Sequence, residues 1–173
     1  MKRFSWVLII AVLISLGYSN LNAQRSKSYV SYQNVISIDP LEFLINRTLY
    51  ISFEHKTAPA NSFTIFLMYH NYSTDWDGFG VGGSYRWYLD IFKDKKIPLE
   101  GLYVGPVGAL SMFRNKWADN SHVYLSIGGE IGYKWIFGGF SVEPLVRLMF
   151  GVTDVAGLGY HAWGAGVNLG YAW

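Results

Sequence analysis

From residue 34 to residue 173, large apolar residues fall on alternate positions. The last stretch is the clearest. Trp163, Ala165, Val167, Leu169, Tyr171 and Trp173 alternate with Gly164, Gly166, Asn168, Gly170 and Ala172. The same period organises Phe63, Ile65, Leu67 and Tyr69; then Phe79, Val81, Tyr85, Trp87 and Leu89; then Val123, Leu125, Ile127, Ile131, Tyr133 and Trp135. Successive side chains of a strand point to opposite faces, so the pattern predicts strands with two different faces. Eight segments follow, over 34–43, 48–56, 61–71, 78–90, 100–113, 121–136, 140–152 and 160–173. Helical periodicity is scarce.

Composition decides which face meets water. Charged residues are 15% of the chain and aromatics 18%. Soluble domains carry about a quarter charged residues. The second face is mostly Gly, Ala and Ser with isolated charges, where a soluble surface would carry Lys and Glu throughout. Small residues with a few charges suit the lumen of a narrow barrel, and a broad aromatic and aliphatic face suits lipid. Only helices and closed barrels satisfy every backbone group in a bilayer. The expected fold is therefore all-β: an eight-stranded antiparallel up-and-down transmembrane β-barrel. A secreted soluble sandwich or lipocalin-like barrel is the structural alternative.

The first residues read as an address. Lys2 and Arg3 precede an apolar run from Trp6 to Leu16, and Leu21-Asn22-Ala23 offers a small residue before Gln24. This is the layout of a signal peptide cleaved near Ala23. The run is short for a spanning helix, which needs about 20 residues. Residues 1–23 thus read as signal peptide, 24–33 as a loose lead and 34–173 as the barrel. Losing Lys2 and Arg3 leaves 12 basic against 12 acidic side chains, so no basic patch points to nucleic acid. There is no cysteine, so disulfides and thiolate metal sites are excluded.

An even strand count returns both ends of the barrel domain to one side of the membrane. Tyr69, Phe79, Phe150 and Trp163 then fall near the outer interface, and Trp87, Tyr133, Trp135, Tyr171 and Trp173 near the inner one, as two aromatic girdles would. Residues 71–77, 114–120 and 153–159 become outer loops. Ile136 to Phe140 becomes a tight inner turn, and 91–99 a long inner connection with room for a short helix.

On these features the chain resembles the small eight-stranded bacterial outer-membrane barrels. The final alternation ending in Trp173 looks like the assembly signal of that class, which most often ends in Phe. Gly82-Gly83-Ser84-Tyr85-Arg86-Trp87-Tyr88 and Glu100-Gly101-Leu102-Tyr103-Val104-Gly105-Pro106 look like an uncharacterised barrel family of this kind. The resemblance implies a Gram-negative outer membrane, with lipid, lipopolysaccharide and the barrel-assembly machinery as partners. It implies a monomer, with any extracellular partner unspecified, and it brings no reaction.

Six charges on the small-residue face are the candidate site. If Gly138 and Gly139 form a two-residue hairpin turn, Phe137 faces Phe140. That register sets Glu130 opposite Arg147 and Lys134 opposite Glu143, all toward the lumen. Arg86 and Glu54 are placed to join them across it. Pro144 cannot donate to a ladder and marks a candidate bulge there. An eight-stranded barrel is only wide enough for its own side chains. Inward Tyr50, Phe66, Met68, Tyr88, Tyr103, Phe113, Tyr124 and Met149 therefore predict a filled lumen.

Enzyme chemistry finds less support. Of His55, His70, His122 and His161, the last three map near the outer mouth, but Ser121 beside His122 points to the opposite face. No serine at matching parity supplies a nucleophile. His161 and the pair His70 and His122 face opposite ways, which counts against a three-histidine metal site. Neither a catalytic residue nor a cofactor is assigned. The expected function is a structural or interaction barrel, and the alternative is a lipid A-modifying enzyme working by acyl transfer or deacylation.

Overall fold

The computed structural model describes residues 31–71, 76–89, 99–117, 121–153 and 164–173. The predicted signal peptide, most of the lead, the 91–98 connection, His161 and Trp163 lie outside them. The described chain forms β1 (Asn34–Ile38), α1 (Pro40–Asn46), β2 (Thr48–Ala58), β3 (Asn61–His70), β4 (Trp76–Leu89), β5 (Gly101–Asn115), β6 (Ser121–Phe137), β7 (Phe140–Gly151) and β8 (Gly164–Ala172). Each strand pairs antiparallel with its sequence neighbours, and β1 pairs with β8, so the sheet closes into an eight-stranded up-and-down barrel.

The expected alternation sets the two faces. Residues such as Ile65, Leu67, Val81, Ile127 and Phe150 are exposed on the outer wall, with Phe150 73% exposed. Their neighbours Phe66, Ser84 and Ser126 are buried inside. Outward aromatics gather toward strand ends. Tyr69 and Phe79, with tilted rings 4.9 Å apart, lie at the end that carries α1. Tyr133 and Trp135, 4.6 Å apart, and Tyr171 and Trp173, 6.5 Å apart, lie toward the tight-turn end. No helix among the described residues is long and apolar enough to cross a membrane, a statement that leaves strands aside.

Three expectations need correction. The alternation predicts a first strand over 34–43, but it stops at Ile38 and Pro40–Asn46 is a helix. Asp39 accepts hydrogen bonds from the amides of Leu41 and Glu42 at 3.0 Å, and Pro40 supplies a φ already suited to a first helical turn. Second, Arg114 and Asn115 belong to β5, and Trp76 and Asp77 to β4, because the two strands pair that far. Third, Pro144 causes no bulge: Trp135↔Val142 and Gly132↔Leu145 keep one register on either side of it. The missing amide only opens a local gap in the ladder. Pro106 leaves a similar gap opposite Tyr85.

The β6–β7 hairpin turns at Gly138 and Gly139, with φ of 61° and 99°. Both lie in the left-handed region that a two-residue hairpin needs and that glycine adopts without steric penalty. The turn sets Phe137 opposite Phe140, Ile131 opposite Val146 and Ile127 opposite Phe150. Elsewhere the barrel is narrow enough to demand glycine for space: a Cβ on Gly105 would sit 1.8 Å from the carbonyl oxygen of Tyr85. At Gly108 a Cβ would meet nothing closer than 3.7 Å. Gly105→Ala is therefore expected to destabilise the barrel by about 1–3 kcal/mol, as overpacking does, and Gly108→Ala to leave it near wild type. Urea midpoints of the two variants check this.

Candidate functional site: a buried ion network in the lumen

Closure of the barrel points four strands' charged side chains at one another. Glu54 comes from β2, Arg86 from β4, Glu130 and Lys134 from β6, and Glu143 and Arg147 from β7. The first five are almost fully buried, and the Arg147 side chain is 12% exposed. Three carboxylates meet three cations.

Arg86 is the hub. Its Nη1 donates to Glu54 Oε2 at 2.6 Å and its Nε to Glu130 Oε1 at 2.6 Å. Its Nη2 lies 3.1 Å from Glu143 Oε1, an ion-pair contact outside hydrogen-bond geometry. The guanidinium also sits 4.4 Å from the Tyr103 ring centre. Lys134 Nζ bridges the same two acids, donating to Glu54 Oε2 and lying 2.8 Å from Glu143 Oε2. Lys134, Glu54, Arg86 and Glu143 thus form a closed ring of alternating charge. Glu130 ties that ring to Arg147, whose Nε donates to Glu130 Oε2 at 3.2 Å.

Neutral groups complete the carboxylates' hydrogen bonding. Ser62 and Tyr88 donate to Glu54 Oε1. Tyr103 and Asn168 donate to Glu143 Oε1, at 2.6 and 3.1 Å. Arg147 Nη2 donates to the Tyr50 hydroxyl at 2.7 Å, with its guanidinium 4.4 Å above that ring. All six charges singled out from the sequence meet here. Ser62 was missed, and Tyr50, Tyr88, Tyr103 and Asn168 were read as lumen residues but not as partners. Their inward parity was readable; the strand across the lumen that each would reach was not.

Two apolar layers enclose the charges. Toward the α1 end lie Tyr50, Phe66, Val107, Ala109 and Met149, with Met68 against them. Toward the tight-turn end lie Val35, Leu99, Ile136 and Ala172, with Tyr32 and Tyr88. Ion pairs shielded in this way interact strongly, and each charge depends on its partners because water cannot replace them.

A second polar cluster sits nearer the α1 end. His70 is fully buried at the end of β3 against the Phe113 ring, 4.9 Å away. The Thr48 hydroxyl donates to the Asn46 carbonyl at 3.3 Å and lies 3.1 Å from His70 Nδ1. His70 Nε2 faces the Ser111 hydroxyl at 3.4 Å. His122 lies elsewhere, 5.7 Å from the Trp76 ring. The described residues contain no group of three or more His, Asp or Glu able to hold a metal ion.

No protein-family model matches the chain, and no curated protein matches its sequence.

The network ranks its own members. Arg86→Met takes one cationic partner from each of three buried carboxylates and leaves three acids to two cations, and is expected to cost about 3–5 kcal/mol. Arg147→Gln takes a partner from Glu130 alone, which keeps Arg86, at a position water can reach, and should cost less. The order of the two variants in a urea unfolding series tests the hub assignment; equal losses would remove Arg86 from that role.

Proposed function

We propose that the chain is a bacterial outer-membrane β-barrel with a structural or interaction role, its lumen sealed by its own side chains. One observation carries this reading: on every strand the outer wall presents exposed apolar side chains, while six charged side chains from four strands meet inside. Ile36, Ile51, Leu67, Val81, Leu110, Ile127, Phe150 and Tyr171, one from each strand, are all exposed. Soluble monomers rarely expose apolar patches larger than a few hundred Å², and a band around an entire barrel is what lipid requires. In this reading α1 and the connections at its end face outward, toward lipopolysaccharide and any extracellular partner. The N-terminal signal takes the chain to the assembly machinery, and the barrel works as a monomer.

The acyl-transfer alternative has one contact in its favour, between Ser111 and His70. Both are buried, which withholds them from a substrate and supports a packing role.

Heat-modifiability tests the barrel reading: the folded protein should migrate differently from the boiled protein on a gel and fractionate with outer membranes. A soluble fraction with no mobility shift would refute it. In planar bilayers the ion network should prevent any steady open pore. Leu169→Arg should destabilise by about 2–4 kcal/mol near the bilayer midplane, falling toward zero near an interface. Replacing His70, His122 and His161 together should leave lipid A acylation in a host unchanged by mass spectrometry; altered acyl chains would favour the enzyme.

A further inference from the structure

The wall of this barrel is not strand all the way round. β1 has five residues, and its pairs with β8 run only from Val35↔Ala172 to Ile38↔Leu169. On its other side the pairs with β2 end at Ile38↔Ile51. Beyond Ile38, toward the α1 end, no strand of the described residues lies between β2 and β8. The helix α1 fills that part of the wall, packed against both. It buries none of its side chains fully and turns Phe43, Leu44 and Ile45 outward.

A helix spends its backbone groups on itself, so it cannot continue a strand ladder. The seam is instead held by single bonds at the start of α1. The Asp39 amide donates to the Tyr50 carbonyl at 3.1 Å on the β2 side; at the far end of the helix the Asn71 amide donates to the Arg47 carbonyl at 3.1 Å, extending the β2–β3 ladder. On the β8 side the Val167 amide donates to Asp39 Oδ1 at 3.2 Å. The same oxygen caps the helix through Leu41 and Glu42. One carboxylate oxygen therefore both starts α1 and ties it to the edge of β8. Its other oxygen, Oδ2, is buried and without a partner among the described residues, and it lies where a Cβ on Gly166 would be, 2.0 Å away.

We infer that α1 is a movable panel in the barrel wall and Asp39 its latch, so that the α1-end half of the lumen opens sideways between β2 and β8. The ion network spans both parts of the wall, with Glu54 beside the paired part of β1 and Glu143 and Arg147 opposite Asn168 and Gly164 next to the seam, and it keeps the lumen shut along its axis while the panel moves. If the barrel lies in a bilayer as proposed above, the opening faces the acyl layer. The inference itself rests on the wall geometry, and its test needs only the folded barrel.

Amide hydrogen exchange on the full chain in detergent, with folding scored by the heat shift of the same sample, provides that test. Within β8, Ala165 and Val167 should exchange about tenfold or more faster than Leu169 and Tyr171, since local opening sets exchange. Asp39→Ala should speed exchange over 164–168 and 48–50 by about tenfold again and leave 169–172 unchanged. Asp39→Asn keeps an oxygen acceptor and should behave as wild type. Gly166→Ala, which pushes on the latch from the other side, should reproduce Asp39→Ala and carries the test if that variant does not fold. Equal exchange along β8 in the wild type, or acceleration spread evenly over the whole barrel in the folded variants, would overturn the inference.

Discussion

The interior of a closed eight-stranded barrel has room for side chains and little else, so every charge pointed into it must be answered from another strand. Arg86 is where that constraint is met. It touches carboxylates from β2, β6 and β7, which no neighbour on its own hairpins could supply. The ring through Lys134 balances it, and the apolar layers on either side make the balance obligatory. Ionic and apolar layers stack along the lumen, so the barrel is closed by charge in the middle and by hydrocarbon above and below.

The same economy of space shapes the wall. Pro106 and Pro144 each omit a ladder bond next to a network residue, yet the register resumes unchanged on both sides. The strands there are held by neighbouring pairs and by the ions inside. At the seam between β2 and β8, among the described residues, a capping carboxylate and a short helix replace strand pairing, which leaves few bonds across that stretch of wall. A rigid lumen and a loosely bonded seam thus coexist in one sheet.

Much of this was legible in the chain. Alternation sorted inward from outward residues on long strands, because a strand's side-chain period admits only two faces. The Gly138-Gly139 turn then placed Glu130 against Arg147 and Lys134 beside Glu143, since a hairpin's register follows from its turn. Residues 34–43 show where alternation misleads. Asp39-Pro40 with Glu42 is a helix-start signal, but the surrounding apolar residues suit a strand as well as a short helix. A seven-residue helix carries too little periodicity of its own to outweigh that.

By itself, then, the sequence determined which residues share a face and which partners meet across a tight turn, because both depend on local backbone geometry. Only the tertiary structure decided that Lys134 reaches Glu54, 80 residues away, that Tyr103 of β5 reaches Glu143 of β7, and that a helix stands in the wall beside β8. Those contacts arise when β1 meets β8 and the sheet closes. Strand tilt and curvature, which no local pattern encodes, then bring non-neighbouring strands within side-chain reach.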